Sequence, residues 1–241
     1  MAKGKDRAAN GAVAVMQEVL SSATETQLKL PLVIAVTSPK GGAGKGTISQ
    51  ALAVGAAMDG YRTCLLDYDP QRSSLNWTKR RALVEGIAPV AGRAGTWAGV
   101  KDELQSVARE HEVIIVDTPT AVEEHIADVD LIIRSANYVL IPTGSQFTDR
   151  ESTVPWMTVI RGRTQHVAFV LNRVNRQTRN LRDAKMHLVS AGKLCPIDIP
   201  TYEDVHLQQE PGLSVVEISD AKGHGDLSAV WNFVKSEMGV Q

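Results

Sequence analysis

A glycine-rich loop between an apolar run and a helical pattern places the strongest constraint on how this chain folds. Residues 32–37 read Leu-Val-Ile-Ala-Val-Thr, and residues 38–47 read Ser-Pro-Lys-Gly-Gly-Ala-Gly-Lys-Gly-Thr. A strand, a glycine loop and a helix N-terminus form a phosphate cradle, because backbone N–H groups point inward and the helix dipole favours negative charge. Lys45 ends the loop, from where a lysine reaches the β- and γ-phosphates of a nucleotide. The sequence therefore predicts a nucleotide-phosphate site at this turn.

Apolar runs and helical patterns alternate along the rest of the chain, and this alternation predicts the fold class. The run Val113–Val116 is continuously apolar, as expected for a strand buried on both faces. We expect an α/β fold of the P-loop NTPase type, a doubly wound, mostly parallel sheet with helices on both faces. Ligands of such sheets bind beyond the carboxyl ends of the strands. The predicted strands are 32–37, 62–67, 112–117, 137–142, 166–171 and 195–199, and the predicted helices lie near 46–58, 73–84, 98–110, 149–162, 178–191 and 226–238.

The length of 241 residues fits one large domain, which we assign to residues 31–241. Residues 1–30 are expected to be an N-terminal extension, with helical spacing over Ala12–Ala23 and a partly ordered tail as the alternative. No apolar run approaches the ~20 residues that span a bilayer, and the N-terminus lacks the apolar core of a signal peptide. Cys64 and Cys195 lie in apolar runs, which predicts buried free thiols and a cytoplasmic location.

Acidic residues end two of the predicted strands. Leu66-Asp-Tyr-Asp-Pro-Gln71 places Asp67 and Asp69 two residues apart, so both side chains point to the same side of the strand end. Such a pair can organise the water shell of Mg²⁺ and an attacking water. Asp117 ends the next strand in Asp117-Thr-Pro119, the pattern in which a carboxylate holds Mg²⁺ through water.

These motifs together resemble one family. Pro39 replaces the usual first glycine of a P-loop, and Lys40 adds a second lysine, giving Lys-Gly-Gly-Ala-Gly-Lys. With the two acidic motifs and a late Gly-x-x-Val-x-Glu (Gly212–Glu217), the chain resembles the ParA/MinD family of deviant Walker A ATPases. It looks most like the short ParA-type partition ATPases that lack a large N-terminal DNA-binding domain. The resemblance runs from about Leu32 to Met238.

The resemblance implies roles for individual residues. Lys45 binds phosphate, Lys40 reaches the nucleotide of a dimer partner, and Asp69 positions the hydrolytic water. Asp67 and Asp117 act on Mg²⁺ through water. Asn172 contacts adenine, with a structural turn residue as the alternative reading. The nucleotide-binding set is then Lys40, Gly41, Gly42, Ala43, Gly44, Lys45, Gly46, Thr47 and Asn172.

The chain departs from the family pattern at three places. Gly46 stands where a Ser or Thr hydroxyl normally binds Mg²⁺, and Thr47 points about 100° away on a helix, so it does not simply take over. Either a water replaces that ligand or the site is weakened. Gly144 replaces the second proline of the family's Pro-x-x-Pro-Ser loop, and Tyr202 stands where relatives often carry arginine.

A basic segment interrupts an otherwise acidic chain. Arg150–Lys193 contains nine Lys or Arg and two Asp or Glu, whereas the net charge of the whole chain is −1. Point charges of this kind suit nonspecific contacts with the DNA backbone, and a solvated helix face is the alternative. The candidate DNA contacts are Arg161, Arg163, Arg173, Arg176, Arg179, Arg182 and Lys185.

The expected function follows from the resemblance. ATP and Mg²⁺ drive a sandwich homodimer that binds DNA without sequence preference and associates with the nucleoid. A ParB-like or other partner stimulates slow ATP hydrolysis, so that a plasmid, chromosome or other cargo is partitioned. Two alternatives stay open: a nucleotide-dependent binding switch with little hydrolysis, because of Gly46, and a MinD-like membrane regulator. No membrane partner is expected, because the stripe Leu227–Val234 of the last helix reads as core packing.

Overall fold

A seven-stranded parallel sheet forms the centre of the protein, in the order β3-β2-β4-β1-β5-β6-β7. The computed structural model describes residues 31–120 and 125–240, so the helix expected at Ala12–Ala23 lies outside the described residues. The strands are β1 (Leu32–Val36), β2 (Thr63–Asp67), β3 (Val90–Ala94), β4 (Val113–Asp117), β5 (Tyr138–Thr143), β6 (Val167–Val174) and β7 (Leu194–Pro200).

Helices cover both faces of the sheet, and each face has its own apolar core. Helices α1, α2 and α8 pack on one face, and α3 to α6 pack on the other. Among the described residues, none of these helices is both long and apolar enough to cross a membrane. The helices are α1 (Lys45–Met58), α2 (Ser73–Arg81), α3 (Val100–Glu110), α4 (Ile126–Ser135), α5 (Phe147–Arg161), α6 (Arg179–Ala191), α7 (Glu203–Gln209) and α8 (His224–Met238), with 3₁₀ turns at Trp97–Gly99 and Val215–Glu217.

The predicted fold class is confirmed, but three elements were missed. The edge strand β3 reads Val-Ala-Gly-Arg-Ala, and only its first residue is buried, so it lacks the apolar run of a central strand. Helix α4 carries Val129, Ile132 and Ile133 at helical spacing on its buried face, a signal that the sequence offered. Helix α7 has seven residues and one buried side chain, which is too little pattern to recognise.

The topology places the acidic strand ends beside the glycine-rich loop. Strand β4 lies between β1 and β2, with Asp117 in register with both Val36 and Asp67. Because the strands are parallel, the loop after β1 and the turns after β2 and β4 leave the sheet at the same edge. The predicted phosphate and Mg²⁺ residues therefore converge on one cleft.

Candidate functional site

The glycine-rich loop is held in place by the end of β6. Gly44 adopts φ 91°, and a Cβ there would lie 1.9 Å from Nδ2 of Asn172, so only glycine fits. Asn172 is buried and donates from Nδ2 to the carbonyl of Ala43 at 2.9 Å. Arg173 donates from its guanidinium to the carbonyl of Gly42 at 2.9 Å. These contacts fix the loop before any phosphate arrives, and Asn172 directs its amide nitrogen to the loop.

Lys45 begins α1 and lies at the floor of the loop. Its side chain is almost completely buried, and Nζ donates to the carbonyl of Ser38 at 3.3 Å. Burial lowers the pKa of Lys45, whereas the carboxylates of Asp117 and Asp69 oppose that shift. The first turn of α1 contains no acidic residue. A buried cation and the open N-terminus of a helix together favour a bound anion.

A polar cavity of about 290 Å³ lies between the glycine-rich loop, the strand ends and the first turn of α2. It unites most of the predicted phosphate-binding residues with Asp69 and Asp117, whereas Lys40, Gly41 and Ala43 lie outside its walls. The cavity is lined by Gly42, Gly44, Lys45, Gly46, Thr47, Gln50, Asp69, Ser73, Ser74, Asp117, Thr118, Thr120, Arg173 and Gln209.

The two carboxylates after β2 have different surroundings. Asp67 is fully buried, and its oxygens accept from the backbone N–H groups of Asp69 and Leu75, both at 2.9 Å. Burial raises the pKa of Asp67, and these two hydrogen bonds oppose the shift. Asp69 is only partly buried and faces the cavity, with one oxygen accepting from the N–H of Gln71 at 2.8 Å. Asp67 therefore fixes the turn into α2, and Asp69 is the carboxylate that a ligand meets.

Asp117 forms the back of the cavity together with a serine that sequence reasoning missed. The hydroxyl of Ser74, on α2, donates to Oδ2 of Asp117 at 2.6 Å. Within residues 31–120 and 125–240, Oδ1 of Asp117 is buried without a hydrogen-bond partner. Burial raises the pKa of Asp117 to about 7, and the bond from Ser74 partly opposes this. A Ser in the first turn of a helix has no sequence signature that distinguishes it from a capping residue.

The donor set of this cavity fits Mg²⁺. In the described part of the chain, no three or more His, Cys, Asp or Glu converge as a complete metal site. Mg²⁺ does not need such a cage, because it is usually bound by one or two carboxylates, waters and substrate phosphates. Asp117, with its unsatisfied Oδ1, supplies a hard oxygen of the kind that this ion prefers, whereas Asp67, the other residue predicted to act on Mg²⁺, does not line the cavity.

Lys40 lies at the rim of the glycine-rich loop. Its Nζ is 3.7 Å from Oδ1 of Asp149, and its side chain remains 38% exposed. A Cβ at Gly144 would lie 2.1 Å from the other oxygen of Asp149. Glycine in place of the family's proline thus leaves room for the carboxylate that pairs with Lys40.

Thr47 points away from the acidic residues. Its hydroxyl accepts from Nε2 of Gln209 at 3.2 Å, and the same amide bonds Gln50 at 2.7 Å. Gln209 ends α7, so the hydroxyl of Thr47 faces that helix. A smaller pocket beside it contains Asn172 and Tyr202. This direction agrees with the rotation expected between adjacent helix positions.

Four of the predicted DNA contacts gather around one surface depression. Arg176, Arg179, Arg182 and Lys185 line it, beside Asp198. Lys185 pairs with Asp198 at 2.5 Å, and Arg176 pairs with a carboxylate of α8 at 2.7 Å. Arg179 and Arg182 are exposed and form no ion pair with any part of the chain that the structure describes. We call Arg176, Arg179, Arg182 and Lys185 the basic face.

The other three predicted DNA contacts lie apart from the basic face. Arg173 bonds the glycine-rich loop and lines the cavity. Arg161, at the C-terminal end of α5, donates to the carbonyl of Ala191 at 3.2 Å. Arg163 forms an ion pair with Asp130. Because α5 runs antiparallel to the strands, Arg161 and Arg163 lie at the edge of the sheet opposite the cavity.

Comparison with protein families gives one match that covers most of the chain. The model of the CobQ/CobB/MinD/ParA nucleotide binding domain matches residues 34–215. That range contains the glycine-rich loop, the acidic strand ends and the basic face.

Individual proteins are similar to the chain in sequence or in fold. The chain is 31% identical to the maintenance of carboxysome distribution protein A of Gloeobacter kilaueensis, over 47% of this chain and 49% of that protein. The chain thus spans about half the length of this relative. A MinD cell division protein of Aquifex aeolicus is similar in structure, with a TM-score of 0.71, 14% identity and coverage of 85% of this chain and 97% of the other. A putative plasmid partition protein of Borrelia burgdorferi, bound to AMPPNP, has a TM-score of 0.66 at 15% identity and 86% and 100% coverage.

Proposed function

Because the chain belongs to the CobQ/CobB/MinD/ParA nucleotide-binding family, we propose that it is a ParA-type ATPase. In this proposal, ATP joins two copies in a sandwich dimer that binds DNA nonspecifically and positions a plasmid, chromosome or other cargo. The observation that supports it most is that Lys45 is buried at the start of α1, in a cavity that Asp69 and Asp117 also line. This arrangement brings a buried cation and two carboxylates together around one cavity.

The residues of the cavity divide the chemistry of phosphoryl transfer between them. Lys45 and the N–H groups of the loop bind the β- and γ-phosphates, and Asp69 positions the attacking water. Asp117 would hold Mg²⁺, directly or through water. Asp67 holds the turn that carries Asp69 in position. When bound, Mg²⁺ neutralises charge on the phosphate oxygens. Positioning and electrostatics of this kind supply most of the catalysis in phosphoryl transfer.

Lys40 is the residue through which a dimer would complete the site. It lies at the rim, pairs loosely with Asp149 and does not line the cavity of its own chain. A lysine in that position is free to neutralise phosphate on the nucleotide of a partner copy. ATP would then stabilise the dimer because each nucleotide is shared between two chains.

The basic face is the proposed DNA surface. The exposure of Arg179 and Arg182 supports this, because unpaired cations bind backbone phosphates without first breaking an ion pair. Binding of this kind would hold the protein on the nucleoid, in the cytoplasm. A ParB-like or other partner would stimulate hydrolysis and release the dimer.

A nucleotide-dependent switch with little hydrolysis is the second candidate, and Gly46 favours it. A MinD-like membrane regulator has less support. Leu227, Val230, Trp231 and Val234 are buried against the core, so the apolar stripe of α8 is not available to a bilayer.

ATPase assays with DNA or liposomes separate these candidates. We expect slow ATP hydrolysis whose rate changes when DNA and a partner protein are added. We also expect ATP-dependent DNA binding and no binding to liposomes. Asp69→Ala should slow hydrolysis roughly 100-fold or more while keeping nucleotide binding, so light scattering with ATP should show a trapped dimer. A monomer under these conditions would contradict the dimer. Nucleotide binding without hydrolysis in the wild type would favour the switch.

A further inference from the structure

The space beside Gly46 is already used by another residue. A Cβ built on Gly46 would lie 3.3 Å from Oγ of Ser74 and 3.6 Å from Oδ2 of Asp117. The side chain of a Ser or Thr at position 46 would therefore begin beside the hydroxyl of Ser74 and the carboxylate of Asp117. The Ser74 hydroxyl thus lies beside the position from which the P-loop hydroxyl is missing.

The Ser74 hydroxyl is buried and directed to the carboxylate of Asp117. Ser74 is 1% exposed, lines the cavity and donates to Oδ2 of Asp117 at 2.6 Å. Asp117 is 5% exposed, and its other oxygen has no partner in the described ranges 31–120 and 125–240. A buried carboxylate oxygen is costly to leave unsatisfied, and this oxygen retains the capacity to accept a hydrogen bond or bind a cation.

The N-terminal end of α2 is fixed by contacts that hold Ser74 in this position. The N–H of Leu75 bonds the carboxylate of Asp67 at 2.9 Å. Arg72 precedes the helix in a left-handed conformation, φ 54°, and its guanidinium bonds the carbonyls of Asp67 and Gly95. A left-handed arginine is strained, and such strain persists only where surrounding contacts determine it.

The C-terminal end of α2 is fixed as well, by the late Gly-x-x-Val-x-Glu motif. Arg81 forms a buried bidentate ion pair with Glu217, at 2.8 and 2.9 Å. Gly212 packs so closely on α2 that a Cβ there would lie 2.3 Å from the backbone nitrogen of Arg81. The helix that carries Ser74 is thus held at both ends.

The other nearby hydroxyls do not meet the same requirements. Thr47 faces Gln209 on α7. Ser49 is buried within α1, close enough to Asp117 to oppose the rise in the pKa of that carboxyl, but it does not line the cavity. Ser73 lines the cavity but is exposed and forms no hydrogen bond with Asp117. Ser74 alone among these four combines burial, a place in the cavity wall and contact with Asp117.

We propose that the Ser74 hydroxyl replaces the missing hydroxyl of position 46 as an oxygen ligand of Mg²⁺ beside the nucleotide. The inference rests on the proposed nucleotide site and adds a metal-binding residue to it. A hydroxyl oxygen keeps lone pairs free while its hydrogen bonds Asp117. The hydroxyl donor that the P-loop lacks would then come from α2.

The direct test is the Mg²⁺ affinity of the ADP complex, measured by calorimetry of ADP binding over a Mg²⁺ series. Ser74→Ala should weaken Mg²⁺ binding roughly tenfold or more, since the loss of a supporting group alone costs a metal site at least that much. ADP affinity in EDTA should stay unchanged, because the phosphate contacts remain. Asn76→Ala, the control on the same helix, changes an exposed side chain outside the cavity and should leave both affinities unchanged.

Moving the hydroxyl back to the P-loop sharpens the test. Gly46→Thr/Ser74→Ala should recover most of the Mg²⁺ affinity that Ser74→Ala removes. Gly46→Thr alone should bring no gain, because its Cβ would lie 3.3 Å from Oγ of Ser74. This pair of variants separates a ligand from a residue that only supports the fold.

A change of metal preference identifies a ligand directly. Ser74→Cys places a soft sulfur at the site, so the ratio of Cd²⁺ to Mg²⁺ affinity should rise roughly tenfold over the wild type. Unchanged Mg²⁺ affinity in Ser74→Ala, or an unchanged metal preference in Ser74→Cys, would overturn the assignment while leaving the nucleotide site intact. Wild-type protein that binds no ADP in EDTA or Mg²⁺ would overturn the proposed function itself.

Discussion

The cleft and the basic face hold charge in opposite ways. In the cleft, Lys45 and Asp117 are buried, and their surroundings shift both pKa values toward the neutral forms. On the basic face, Arg179 and Arg182 are exposed, while Arg176 and Lys185 pair with acidic neighbours. The ionisable groups of the cleft are buried and held in position before a ligand binds, whereas the exposed cations of the basic face are solvated.

This difference separates two kinds of recognition. A preorganised buried site suits one ligand whose charges are complementary to those of the site, because its charged groups were desolvated when the protein folded. An exposed set of cations suits a polyanion that binds in many registers, and it is sensitive to salt. We expect substitutions in the cleft to have large effects and those on the basic face to have graded ones.

The largest effect should come from Asp117→Asn on the stability of the ligand-free protein. Because the folded state raises the pKa of Asp117 from 3.8 to about 7, its contribution to stability is lost as pH rises from about 4 to about 7. The variant should then be more stable than the wild type above pH 7, by on the order of 4 kcal/mol. Urea unfolding in EDTA at pH 4 and pH 8 measures this.

Asp69→Asn is the control for that prediction, because Asp69 lines the same cavity but is only partly buried. Its stability should change much less with pH relative to the wild type. Equal stability of Asp117→Asn and the wild type at pH 8 would show that the ionised side chain of Asp117 does not destabilise the folded protein.

A graded effect should appear on the basic face. Arg179→Ala/Arg182→Ala should lower the slope of log affinity for duplex DNA against log salt by about 2, because each phosphate-binding arginine that is removed lowers it by about 1. Arg161→Ala/Arg163→Ala removes the same charge at the opposite edge of the sheet and should change the slope less. A salt titration of DNA binding in the presence of ATP measures both slopes. Equal slopes for the two variants would exclude the basic face as the DNA surface.

The smallest effect should come from the pair between Lys40 and Asp149. Such partly exposed ion pairs contribute about 1 kcal/mol or less, so Asp149→Asn should tighten ATP-dependent dimerisation no more than about fivefold, by freeing Lys40. Analytical ultracentrifugation with ATP in the Asp69→Ala background measures the dimer. The gain should vanish in Lys40→Ala/Asp149→Asn, and a gain that persists there would exclude Lys40 as its cause.

The sequence predicted the elements with strong periodicity and the motifs at their ends. The continuous run of β4 and the loop before α1 indicated the parallel sheet and the cleft, because both signals are local. Ser74 was not predictable, since its contact with Asp117 joins residues 43 positions apart. The division of the basic residues could not be predicted either, because Arg163 and Lys185 pair with Asp130 and Asp198 on other elements, and such tertiary contacts leave no local signal.

Every proposed role of the cleft depends on nucleotide binding through Lys45. Calorimetry should therefore compare ADP binding to the wild type and to Lys45→Ala, with Lys40→Ala as the exposed-lysine control. Removing a buried, phosphate-contacting cation should weaken ADP binding roughly 100-fold or more, while Lys40→Ala should change the affinity of the monomer little. Equal ADP affinity in Lys45→Ala and the wild type would contradict nucleotide binding through Lys45.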